Sequence, residues 1–129
     1  MYFELLSLEI HASMAGLKVG KPPVCKGESG VEHRFSFVAS DGNMTYGFDI
    51  YNDVSQEEVI KTFAKKLDTK VYASVVSLRG RPNAEVAALA DDYGITILGP
   101  ADIETFFKWM KVEQKEKENP IGANELLTP

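Results

Sequence analysis

Residues Gly30 to Tyr51 read GVEHRFSFVASDGNMTYGFDIY, and their pattern predicts a β-hairpin on which the rest of the chain is laid. In the first arm Val31, His33, Phe35, Phe37 and Ala39 alternate with Glu32, Arg34, Ser36, Val38 and Ser40, the period of two expected of a strand. Asp41, Gly42 and Asn43 supply the turn. In the second arm Met44, Tyr46, Phe48 and Ile50 share one face, while Thr45, Gly47, Asp49 and Tyr51 share the other. The first face suits a core. The second is short and polar, and it is the place for chemistry.

Upstream, Phe3, Leu6, Ile10 and Met14, with Leu5, Leu8 and Ala12, form a broad apolar stripe at helical spacing over Phe3 to Ala15, and Gly16 suits the cap. Leu17 to Lys26 holds Pro22 and Pro23, which bar a central strand and predict an edge strand or extended arm. Downstream, Ser55 and Glu58 make a capping box ahead of Val59, Ile60, Phe63, Ala64 and Leu67, predicting a helix from Gln56 to about Leu67. Val71 to Leu78, VYASVVSL, has the profile of a strand covered on both faces and is assigned to the middle of the sheet. The turn RGRPN opens a helix with Val86, Leu89, Ala90 and Tyr93 on one stripe and Gly94 as its cap. Ile95 to Leu98 is a short last strand, and a helix from Ala101 buries Ile103, Phe106, Phe107 and Met110. The charged KVEQKEKENP carries that helix into water before Asn119, which leaves residues 119–129 as a tail. Strand, helix, strand twice in succession calls for right-handed crossovers into a partly parallel sheet. The expectation is one mixed α/β sandwich over residues 1–118, in the order αβββαβαβα.

With 129 residues, 44% of them apolar and 26% charged, the chain is long enough to build a core without staples. No window is apolar over the roughly 18 residues that a membrane span requires, and the first residues carry no positive leader, so no membrane partner and a cytoplasmic location are expected. One cysteine, Cys25, allows no internal disulfide, and with two histidines it makes a structural zinc site a poor expectation. A metal here would be held mainly by oxygen. The net charge of −5 argues against a protein that coats nucleic acid, though not against a local basic groove.

Two stretches, GVEHRFSF and VYASVVSLRGRPNAEVAALADDYGITILGPADI, together with the element order, resemble the restriction-endonuclease-like fold, the PD-(D/E)xK nuclease superfamily, and within it the Mrr-like and archaeal members. That resemblance covers Phe3 to about Phe107. It implies a first metal-binding Asp, a second acid one strand later and a Lys two residues beyond, with Mg²⁺ or Mn²⁺ as cofactor and often a Glu from the first helix. Carried onto this chain, the first acid falls on Ser36, the second on Asp49 and the lysine on Tyr51, with Glu4 or Glu9 as the helical Glu. Only Asp49 matches. The implied reading is a degenerate, non-catalytic domain that keeps the fold to recognise DNA or a protein partner.

Each candidate also has a plainer reading. Asp49 beside Tyr51 suits a hydrogen-bonded surface acid, and His33, in register with Phe35 and Phe37, suits a satisfied strand-end histidine. Lys61, Lys65, Arg79 and Arg81 suit a solvated helix face; if DNA binds, they are the phosphate contacts. The alternative function is an active metal-dependent nuclease using Asp49, a helical Glu and a migrated Glu32 or His33. A further alternative is a small-anion site in the loop from Arg79 to Asn83, at the rim where open α/β sheets bind ligands. Self-association is a further expectation, through the arm at Pro22 and Pro23 together with the leucines of the tail.

Overall fold

The computed structural model describes residues 3–118, and the predicted tail 119–129 lies outside the described residues. Its elements are α1 (Phe3–Met14), β1 (Lys18–Val19), β2 (Val24–Lys26), β3 (Glu32–Arg34), β4 (Phe37–Ser40), β5 (Thr45–Tyr51), α2 (Gln56–Thr69), β6 (Tyr72–Ser77), α3 (Ala84–Asp92), β7 (Thr96–Leu98) and α4 (Ile103–Glu118), the last entered through a 3₁₀ turn at Pro100–Asp102. Five strands form a mixed sheet in the order β1-β4-β5-β6-β7, and β2 pairs with β3 in a separate ribbon. β1, β4 and β5 run antiparallel; β5, β6 and β7 run parallel. The strand read as the sheet's middle, β6, is interior and covered on both faces, but β5 holds the centre. No helix among the described residues is long and apolar enough to cross a membrane.

Two cores lie on the two faces of this sheet. On one, Leu8 and Ala12 of α1 and Ile103, Phe106, Phe107 and Met110 of α4 meet Phe37, Ala39, Tyr46, Phe48, Val76 and Leu98. Phe48 is fully buried there, with Phe37, Phe106 and Phe107 within 5.8 Å of its ring centre, burial worth about 1.5–3 kcal/mol for such a side chain. On the other face Val59 of α2 and Val86 and Ala90 of α3 meet Phe35, Val38, Ala73 and Val75. α2 begins where the sequence places it, because the Glu58 carboxylate accepts from both the amide and the hydroxyl of Ser55, at 2.9 and 2.7 Å.

The structure corrects two readings. The first arm of the hairpin is two strands: β3 turns away to pair with β2, and the alternation changes phase between Phe35 and Phe37, so these rings face opposite cores. Gly47 explains the first of them. A Cβ there would come within 2.9 Å of the Phe35 ring, so the glycine makes room for it. In α1 the buried residues are Leu8 and Ala12, whereas Phe3, Leu6, Ile10 and Met14 are exposed. Helical periodicity marks a stripe, but the neighbours of α1 decide which edge of it is covered.

Candidate functional site

Asp49 lies on central strand β5 with 4% of its surface exposed. An acid so deep needs partners for its oxygens, and α2 provides them. Thr62 Oγ1 donates to Asp49 Oδ2 at 2.8 Å, and Lys65 Nζ lies 2.8 Å from Oδ1 and 2.7 Å from Oδ2. Thr62 and Lys65 are three residues apart, so they share one face of the helix and reach the same carboxylate. Lys65 also donates to the Arg34 carbonyl at 2.8 Å and stands 4.5 Å above the centre of the Phe35 ring. Tyr51, two residues along the strand, has its phenol pushed up by burial and then by the Asp49 charge. It therefore stays a neutral phenol at neutral pH.

The other residues implied for a metal centre are not gathered here. Ser36 Oγ accepts from the Ile50 amide at 3.0 Å and lines a small cleft with Leu5 and Glu9 on the α1 side. Glu9 pairs with Lys21 at 3.2 Å, and Glu4 sits in the first turn of α1. The sheet thus stands between these residues and Asp49, which faces α2. Glu32 lies on the ribbon opposite Lys26. Among the described residues no three of the His, Cys, Asp and Glu side chains come together as ligands for a metal ion.

His33 belongs to a second cluster, at the end of α2. Its Nε2 lies 2.7 Å from Asp68 Oδ2, which also accepts from Ser29 Oγ at 2.6 Å, while the Ser29 amide donates to Oδ1 at 2.9 Å. These bonds, the Ser29 hydroxyl first and then His33, hold the Asp68 carboxyl down at about 2. Cys25 stands opposite His33 across the ribbon, and burial pushes its thiol up, away from the thiolate a nucleophile needs. Gly27 is required here, since a Cβ would collide with the Asp68 carboxylate.

The basic residues are dispersed. Lys65 is committed to Asp49; Lys61 pairs with Glu57 at 3.1 Å; Arg79 lies 3.7 Å from Asp53; Arg81 borders a cleft of about 570 Å³ beside β7. Asp68 and Thr62 went unmarked in the sequence. The only signal was their spacing from Lys65, three residues either way along one face of α2.

No protein-family model matches the chain, and no curated protein matches it. Among solved structures, protein VC1899 from Vibrio cholerae is similar, with a TM-score of 0.57 and 12% sequence identity over 87% of this chain and 32% of that chain. The chain therefore spans about a third of the length of VC1899. At that identity the likeness concerns the α/β fold alone.

Proposed function

We propose that the chain is a restriction-endonuclease-like domain that works by recognising a protein partner and not by cleavage. One observation carries the reading: Asp49, the acid that falls on the nuclease motif, has both carboxylate oxygens engaged by Thr62 and Lys65 in a buried site. Its donor set does not fit Mg²⁺ or Mn²⁺, because Ser36, Glu4 and Glu9 are separated from it by the sheet and the carboxylate is already neutralised by an ammonium. The succession α1, antiparallel β1, β4 and β5, then α2 and parallel β6 supports the nuclease-like part. Dispersal of the basic residues on a chain of net charge −5 favours a protein partner over DNA.

Thermal unfolding in Mn²⁺ or Mg²⁺ against EDTA, on wild type and Asp49→Asn, tests this. The expected outcome is no metal-dependent shift in either protein over millimolar metal and no Mn²⁺-dependent cleavage of duplex DNA. Stabilisation by metal that vanishes in Asp49→Asn, together with cleavage, would restore the nuclease reading. A second reading, a small anion held beside the loop from Arg79 to Asn83, is favoured by Arg81, which borders the cleft next to the carboxyl end of β6. Inorganic phosphate should then raise the melting temperature in EDTA, and Arg81→Ala should abolish the rise.

A further inference from the structure

We propose that the open edge of β7 is a self-association surface, covered by a second copy of this chain across a two-fold axis so that two sheets continue as one. β7 is the outer strand on the parallel side of the sheet. An uncovered outer strand leaves a row of unpaired backbone N–H and C=O groups. Two clefts flank it. On the α3 side, one of about 570 Å³ is lined by Ala87, Ala90 and Asp91, with Arg81 at one end and Gly94 at the other. On the α4 side, an apolar one of about 390 Å³ is lined by Leu98, Phe106 and Trp109, and Trp109 is 46% exposed.

Charge selects the occupant. Arg81 lies between the end of β6 and the start of α3, whereas Asp91 lies in the last turn of α3, beside the residues that lead into β7. Neither forms an ion pair among the described residues. A two-fold axis perpendicular to the sheet pairs β7 antiparallel with its mate and lays the two α3 helices side by side in opposite directions. Arg81 of each copy then faces Asp91 of the other, one opposite-charge pair on each side of the axis as an isologous interface demands, alongside the exposed Glu85 and Asp92 of the same helix. Ala84, Ala87 and Ala88 are exposed on α3 and keep its outer surface thin enough for that approach. On the opposite face the same axis brings the two Trp109 clefts together and removes apolar surface from water.

The surface is independent of the nuclease-like reading.

Sedimentation velocity of the full chain from about 1 µM to about 1 mM tests the proposal. A species of twice the 14.3 kDa chain mass is expected, with a blue shift in the emission of Trp109, the one tryptophan of the chain, that follows its formation. Arg81→Glu alone and Asp91→Arg alone each place like charges across the axis, and each should weaken the dimer by about tenfold. The Arg81→Glu/Asp91→Arg double variant restores both pairs with their signs exchanged, and an equimolar mixture of the single variants should form a mixed dimer. Unfolding midpoints of each variant report its folding separately. A wild type that stays monomeric throughout overturns the proposal, as does a dimer insensitive to the single reversals or a double variant as weak as either. Cleavage assays on the same samples bear on the non-catalytic reading alone.

Discussion

Lys65 reaches three kinds of partner at once: a carboxylate, a backbone carbonyl and an aromatic face. With 19% of its side chain exposed against 5% for Asp49, the pair sits where desolvation is costly and where losing one partner strands the other. Lys65→Met leaves a buried carboxylate with Thr62 alone, and denaturant unfolding should show a loss of about 3 kcal/mol. Asp49→Asn keeps an acceptor for Thr62 and should lose about 1–2 kcal/mol. The Asp49→Val/Lys65→Met double variant should recover much of the Lys65→Met loss, because an apolar pair of similar volume leaves no charge behind. Strictly additive losses would show that the two side chains are not coupled, and the structural role assigned to Asp49 would fail. At this scale the sequence offers Asp49 as a metal ligand or a hydrogen-bonded surface acid, and the structure instead buries it. Its partner was not legible, since Lys65 stood in the sequence among the exposed lysines of one helix.

α2 is the element that joins both polar clusters. Its first turn is closed by Ser55 and Glu58, and its C-cap, Lys70, adopts a left-handed backbone with φ of 62°, donating its N–H to the Lys66 carbonyl. That conformation is natural for glycine and strained for lysine. Lys70→Gly should therefore raise stability by about 0.5–1 kcal/mol, read as a higher midpoint in thermal or urea unfolding, and an unchanged or lower midpoint would contradict the cap geometry. Most elements were legible from their periods and caps: α2, α3, β6, β7 and α4 lie within a few residues of where spacing puts them. β3 and β4 were not, because period-two alternation is shared by any two consecutive strands. Only the pairing partners, β2 for one and β1 with β5 for the other, separate them.

At the scale of the whole molecule, Asp68 ties the β2–β3 ribbon and its loop to the end of α2 across separations of 39 and 35 residues. Its carboxyl is depressed to about 2 in the folded chain, while an unfolded Asp titrates near 3.9. The stabilisation is therefore complete above the unfolded value and is lost as pH falls through the folded one. Acid unfolding of wild type and Asp68→Asn should show a stability gap that is present at about pH 4 and closes towards pH 2. A gap that persists at pH 2 would mean that the charge of Asp68 is not what holds the ribbon.

The sequence by itself determined most of the local elements, the turn at Asp41 to Asn43 and the α/β class with its mixed sheet, though not the split between β3 and β4, because caps, turn residues and hydrophobic period act over a few neighbouring residues. Only the tertiary structure decided which face each strand presents, that Lys65 neutralises Asp49, that Asp68 gathers Ser29 and His33, and that Ser36 and Glu9 lie across the sheet from Asp49. Those outcomes rest on contacts between segments far apart in the chain. Such contacts depend on which distant surfaces can be buried together, and that choice leaves no local period to read.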